Sequence, residues 1–279
     1  MKLPSSSALM YVARLRHIQS IHESGGRRNP DTLVRHFIPI VERLRSTWIC
    51  RARLAELREE PFYYYLVART KYYDQMVADA VSNGVKRIVN VGCGSDTRAY
   101  RFQNLLRNKG VRVLECDRHA AIRAKEHMAK RWRPSDYVEY LPVDLNDNAW
   151  PQLEDWLGDR TSSKTLVMME GVSTYVDYSN FSRFLQVLGV KLPPGSHLCY
   201  DYTIRGFRDD LGRSGRTERP FRLSKVREEV AAYHEAIGFL LEHMEMGPEL
   251  CTRLLPNLTE PTLPWYDEDI LIRLKRDRT

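Results

Sequence analysis

The residues with chemical potential in the middle of the chain recur at the ends of apolar runs. Gly92-Cys93-Gly94 follows the run at 87–91, and Asp96 and Thr97 come directly after it. Glycines at such a turn let a ligand approach the backbone closely. Alone, the pair would serve a dinucleotide, a nucleoside or a plain tight turn. Glu115 and Asp117 close a second run, where a carboxylate can accept hydrogen bonds from both hydroxyls of a ribose. Asp144 closes a third run and Glu170 a fourth. A dinucleotide turn reads G-x-G-x-x-G and receives a pyrophosphate on a helix N-terminus. Here Thr97 stands at the third glycine's position, and Asp96 would repel the pyrophosphate. A nucleoside without phosphate is the better ligand, and S-adenosylmethionine, cationic at sulfur, meets that requirement. Asp144 would then accept a hydrogen bond from the adenine amino group, and Glu170 would hold the methionine ammonium. Arg69, in the stretch 68–74, offers a guanidinium for the methionine carboxylate. Each residue also has a plainer reading: a cap, a loop carboxylate or a solvated arginine. Asp74 equally suits a structural ion pair with Arg69 or Arg98. The series of carboxylates after successive apolar runs is what favours a binding edge.

These residues need elements that bring run ends together. Residues 1–83 read as helical. Ala8, Tyr11, Val12, Leu15 and Ile18 share one face, Asp31 caps a short turn, and a helix from Pro39 carries Val41, Leu44 and Trp48. Residues 66–81 are again helical and stop at Asn83-Gly84. From residue 84 the pattern alternates. Strands are expected at 87–91, 111–115, 137–143, 165–169 and 196–200. Helices are expected at 99–108, 119–132, 150–157 and around Phe181, Phe184, Leu185 and Leu188. That order predicts a mostly parallel sheet covered by helices, an α/β Rossmann-like fold whose ligands sit at the C-terminal edge of the strands. The arginine-rich stretch 202–222 reads as a mobile loop or lid. A helix follows at 224–234, a strand at 238–246 and a final strand around 270–275. Four prolines between 247 and 267 argue that this stretch is mostly loop.

As a set, the stretches ARTKYYD at 68–74, VGCGSDTR at 91–98, LECD at 114–117, LPVDL at 141–145 and MEGVSTYV at 169–176 resemble the leucine carboxyl methyltransferase family. The likeness is nearest to its bacterial branch of small-molecule O-methyltransferases. It implies a class I S-adenosylmethionine-dependent methyltransferase fold, with residues 1–83 as a helical lid over a catalytic domain at 84–279. It implies S-adenosyl-L-methionine as cofactor, with Arg69 on its carboxylate and Glu170 on its amino group. Gly92, Cys93, Gly94, Asp96 and Thr97 would form the loop beside the methionine moiety. Asp117, helped by Glu115, would take the ribose hydroxyls. Asp144 and Leu145 would frame the adenine, and Tyr175 would face the acceptor. The expected reaction is methyl transfer to an oxygen of a small molecule or peptide, in a biosynthetic pathway. A carboxylate acceptor, already ionised, needs no general base; a phenolic or polyketide hydroxyl would want one. No catalytic residue is assigned, since His197, His234 and His243 read more simply as packed or surface histidines.

Composition bounds the alternatives. The chain has 279 residues, 43% hydrophobic and 28% charged, which excludes a disordered or collagen-like chain. Its net charge of +7 is a weak pointer to nucleic acid, and no nucleic-acid recognition motif accompanies it. Much of that charge lies around 43–53 and 205–222, which suits an anionic acceptor. Five scattered cysteines lack metal or redox spacing, so a reducing, cytoplasmic setting is expected. No run is long enough to span a membrane and no signal peptide is read, so no membrane partner is expected. Asp201, Asp209 and Asp210 could supply part of a metal site, but Asp209 and Asp210 lie among the arginines of the 202–222 loop, so no metal is expected. The competing readings are a nicotinamide-dependent oxidoreductase, a nucleic-acid binder, and a noncatalytic binding protein on the same fold.

Overall fold

The computed structural model describes residues 5–133, 135–147, 149–158, 163–206, 218–255 and 266–277. The sheet has seven strands: β1 (Arg87–Val91), β2 (Arg112–Asp117), β3 (Val138–Pro142), β4 (Thr165–Met169), β5 (His197–Thr203), β6 (Phe239–Met246) and β7 (Asp269–Arg276). Their order is β3-β2-β1-β4-β5-β7-β6. The first five are parallel neighbours, and β7 runs antiparallel between β5 and β6. The expected Rossmann-like fold is present. Because β1 lies between β2 and β4, the chain reverses direction across the sheet at β1. Such a switch point opens a crevice outside the carboxyl ends of the strands.

β1 alternates as a strand buried on both faces should. Ile88 belongs to one apolar layer with Val113, Leu166 and Leu271, whereas Val89 and Val91 belong to the other with Leu114, Val167 and Leu198. The first layer is closed by α4 (Pro61–Ser82), a 22-residue helix with Tyr63, Tyr64, Tyr65, Tyr72 and Tyr73 all buried. The tyrosine-rich stretch is thus core packing. Ahead of α4 come α1 (Ser5–His22), α2 (Ile40–Thr47) and α3 (Arg51–Glu59). Asp31 accepts a hydrogen bond from the Val34 amide at 3.0 Å and so caps a short 3-10 turn.

Two expectations about local structure are corrected, the second over residues 247–254 only. The single helix expected at 99–108 is two short ones, α5 (Arg98–Arg101) and α6 (Gln103–Asn108), separated at Phe102. The stretch after β6 begins as a helix, not a loop. Following α7 (His119–Trp132), α8 (Pro151–Gly158), α9 (Tyr178–Lys191) and α10 (Arg227–Glu235), the helix α11 spans Gly247–Leu254. Pro248 sits in its first turn, where no N–H is needed, and the Glu249 carboxylate accepts a hydrogen bond from the Met246 amide at 3.1 Å. Proline there starts a helix, and Leu250 and Cys251 bury its inner face. In the arginine-rich stretch, Tyr202 and Thr203 belong to β5, and residues 207–217 lie outside the described residues, Asp209 and Asp210 among them. Among the described residues no helix is long and apolar enough to cross a membrane.

Candidate active site

Parallel pairing of β1 to β5 sets the ends of these strands along one edge. Gly92 follows β1, Asp117 ends β2, Asp144 follows β3 by two residues and Glu170 follows β4 directly. Gly92 and Gly94 have φ of +67° and +44°, the left-handed region that favours glycine. A Cβ on Gly92 would stand 2.4 Å from a Val172 methyl, and one on Gly94 would stand 2.4 Å from a Leu9 methyl. The glycines therefore permit close approach of two other segments, the loop after β4 and helix α1. Cys93, buried between them, donates its amide to Cys116 O at 2.9 Å, tying the turn to β2. The Gly94 amide donates to Asp117 Oδ2 at 2.7 Å, and the Arg118 amide donates to Oδ1 at 2.7 Å. Each oxygen keeps a second lone pair for a hydroxyl donor.

Arg69 projects from α4 into the same edge. Its Nε donates to Glu170 at 3.2 Å and its Nη1 to Asp201 of β5 at 3.3 Å. Asp201 also accepts hydrogen bonds from the Gly171 amide at 2.7 Å and the Tyr73 hydroxyl at 2.9 Å. Glu170 is shared further, with Arg16 of α1 and with Arg98 at 2.7 Å. Burial opposes its charge, but Arg16, Arg98 and Arg69 together hold it at about 2. Asp201 behaves differently. Burial pushes it up to about 6 despite Arg69, and Asp269 adds repulsion.

The other expected residues divide between rim and interior. Asp96 accepts bonds from the Asn90 amide group at 3.0 Å and from the Arg98 backbone and guanidinium at 2.7 and 2.6 Å. Those contacts make it an anchor for Arg98 and lower its pKa although burial opposes this. Thr97 is buried and donates its hydroxyl to Asp31. Glu115 lies two residues short of the strand end, fully buried, with Lys125 of α7 at 2.8 Å; burial raises it to about 7. Asp144 accepts the Asn146 amide at 2.9 Å, and Leu145 beside it is buried. Tyr175 ends a 3-10 turn after β4; burial raises its pKa, and the charges acting on it are Arg69, Asp269, Arg222 and Asp201. Asp74 pairs with Arg98 at 2.8 Å and with Arg101 at 2.6 Å, not with Arg69.

Sequence reading missed Arg16, Arg98 and Asp201 as members of this network. Arg98 adjoins the glycine turn and carried a signal of proximity. Arg16 and Glu170 are 154 positions apart, and nothing local in either stretch announces their pairing. A surface cavity of about 480 Å³ lies elsewhere, bordered by Pro30, Leu33, Phe102 and Arg133, and contains none of the strand-end carboxylates.

The set of polar groups suits a nucleoside that carries an amino acid with its carboxylate and ammonium free. Arg69 and Glu170 are complementary to a carboxylate and an ammonium, Asp117 to a diol, and the glycine turn admits close approach. Leu9 and Val172 now occupy the space over those glycines.

The sequence pattern of the leucine carboxyl methyltransferase family matches residues 12–189. A Frankia alni protein, named provisionally as an S-adenosyl-L-methionine-dependent methyltransferase, is 26% identical over 200 residues, 70% of this chain and 68% of that one. A Mycobacterium avium protein of the same provisional name is 31% identical over 135 residues, 48% of this chain and 42% of that one. The chain spans about half the length of most curated relatives it matches. A crystal structure from Thermobifida fusca YX, named provisionally as a methyltransferase, aligns over 99% of this chain and 100% of that one, with a TM-score of 0.59 at 12% identity. At that identity the likeness speaks for the fold.

Proposed function

The chain belongs to the leucine carboxyl methyltransferase family, with S-adenosyl-L-methionine as its cofactor, and from that premise we propose that it methylates a carboxylate oxygen of a small-molecule or peptide acceptor. The observation that carries the cofactor assignment is the Arg69–Glu170 pair beside the glycine turn, at the switch point of the sheet. When bound, the cofactor supplies an electrophilic methyl group on a sulfonium. Arg69 would hold its carboxylate and Glu170 its ammonium. Asp117 would accept from the ribose hydroxyls, with Glu115 and Lys125 buttressing β2 behind it. Asp144 and Leu145 would border the adenine. The backbone of Gly92, Cys93 and Gly94 would face the methionine moiety, with Asp96 and Thr97 anchoring that turn to Arg98 and Asp31. Residues 1–83 would serve as cover to the domain at 84–279, with Arg16 and Leu9 closing over the site. These residues bind, orient and exclude water, which is most of what a direct displacement asks of a protein.

Three observations favour a carboxylate over a hydroxyl acceptor. His197 opens β5 and so lies at the edge opposite the strand ends, 3.6 Å from Glu242. His234 is buried against the Tyr200 hydroxyl at 2.7 Å. His243 bonds Glu245 at 3.1 Å on β6. The histidines considered as bases are therefore engaged elsewhere. The test is an acceptor screen with methyl-labelled cofactor, followed by alkaline treatment of the product. Methyl esters release the label as methanol, whereas an alkali-stable product would move the reading to a hydroxyl acceptor.

A further inference from the structure

Helix α2 turns an apolar stripe outward. Ile40, Val41, Leu44 and Trp48 are 61%, 53%, 52% and 82% exposed, although each is a residue type that folding normally covers. At 3.6 residues per turn the four fall within an arc of about 100°, a continuous stripe along the helix. The inward face is identified by Ser46, which is buried, donates to Glu42 O at 2.7 Å and accepts at its own carbonyl from His22 of α1 at 3.0 Å. The stripe is rimmed by cations. Arg43 and Arg45 flank it on α2, and Arg51 and Arg53 follow at the start of the next helix, where Arg53 pairs with Glu56 at 2.6 Å. Glu42 is already engaged by Arg14 at 2.9 Å and Arg45 at 3.1 Å.

We propose that α2 is a docking surface for an anionic lipid bilayer, lying in the headgroup plane with Ile40, Val41, Leu44 and Trp48 inserted and the arginines on lipid phosphates. A basic helix with aliphatic and tryptophan residues on its other side is the chemistry that such an interface takes up. Tryptophan favours the boundary between headgroup and acyl chain. A fluid surface needs no matching groove, which suits a short convex helix. A second copy of this chain is disfavoured, because it would bring two arginine rims together on proteins of net charge +7. That no described helix is long and apolar enough to cross a membrane has no bearing on this mode, because α2 would lie on the bilayer and not cross it. The arginines at 43–53, read from sequence as drawing an anionic acceptor, are thereby given a surface role.

The test is vesicle flotation of the whole protein, with phosphatidylcholine alone and with phosphatidylcholine mixed with phosphatidylserine. The expected result is retention on the mixed vesicles, a blue shift of tryptophan emission that a Trp48→Phe variant lacks, and release as salt is raised. Leu44→Ser/Trp48→Ser and Arg45→Glu/Arg51→Glu should each weaken retention about tenfold or more. Both pairs replace exposed side chains, and the only ion pair lost among the described residues is the exposed Arg45–Glu42 contact, so thermal unfolding should stay within about 3 °C of wild type and serve as the folding control. Equal retention of wild type and variants overturns the proposal, as does retention on neither vesicle. A lipid-free dimer that Leu44→Ser/Trp48→Ser dissolves would assign the face to a second copy. Binding of a synthetic acidic amphipathic helix without vesicle retention would assign it to a protein partner. Either result overturns the lipid reading.

Discussion

Replacing Arg69 by methionine separates its structural role from its proposed binding role. The substitution keeps an unbranched side chain and removes the charge. Glu170 would retain Arg16 and Arg98, whereas Asp201 would lose the guanidinium that pairs with it, keeping only the Gly171 amide and the Tyr73 hydroxyl. Removing one partner of a buried ion pair costs about 3–5 kcal/mol. Asp201 already sits near 6 and can take up a proton, so the loss should fall near the lower end, about 3 kcal/mol in urea unfolding. Adding Asp201→Asn removes the orphaned charge while preserving an acceptor for Gly171 and Tyr73. The double variant should recover about 1–2 kcal/mol of that loss. Cofactor binding should not recover. A charge-assisted contact to the cofactor carboxylate contributes about 1.5–3 kcal/mol, which corresponds to about 10- to 150-fold in Kd. Calorimetric titration with S-adenosylhomocysteine reads that change in both variants. A Kd within about twofold of wild type in the folded double variant would refute the binding role and leave Arg69 purely structural. A double variant no more stable than the single one would refute the account of Asp201.

Other consequences follow from the same geometry. Asp117→Asn keeps the side chain's shape but turns an NH2 toward either the Gly94 or the Arg118 amide, so S-adenosylhomocysteine should bind about tenfold more weakly in the same titration and urea unfolding should lose about 1 kcal/mol. Gly92→Ala must place a Cβ at positive φ against a Val172 methyl; it should lower the urea midpoint by an amount equivalent to about 1–3 kcal/mol. Leu9→Ala removes the side chain that covers Gly94, and stopped-flow mixing should show faster association of S-adenosylhomocysteine. Burial holds His234 at about 4, against 6.5 when unfolded, so the unfolded chain takes up the proton first and stability falls as pH drops from 6.5 toward 4. Between pH 7 and 5 that loss is about 2 kcal/mol, and comparing urea unfolding of wild type and His234→Gln at the two pH values should show it missing from the variant.

Strand ends were legible because they are local. An apolar run followed by glycine or a carboxylate marks the end of a buried parallel strand, and a parallel sheet puts all such ends on one edge. That reasoning located Gly92, Asp117, Asp144 and Glu170 along the edge without any long-range information. The same locality misled at 247–254. Proline was counted as a breaker there, whereas in the first turn of a helix it costs no hydrogen bond. Phe102 divides a stretch whose apolar periodicity runs on without a break.

By itself, then, the sequence determined a helix-covered parallel sheet, the row of acidic residues along its edge and the family resemblance those motifs carry. Only the tertiary structure decided the state of each charge. Glu170 is held at about 2 by arginines from α1, α4 and α5, while Asp201, with one such partner and a neighbouring Asp269, rises to about 6. Glu115, adjacent in sequence to the edge, is drawn inside to Lys125. The apolar residues of α2, read from sequence as the face of a helix, stand outward because Ser46, not Leu44 or Trp48, meets α1. The physical reason is common to these cases. Strand formation and its ends follow from side chains a few positions apart, whereas desolvation and charge pairing depend on groups that only the folded chain brings within a few ångströms.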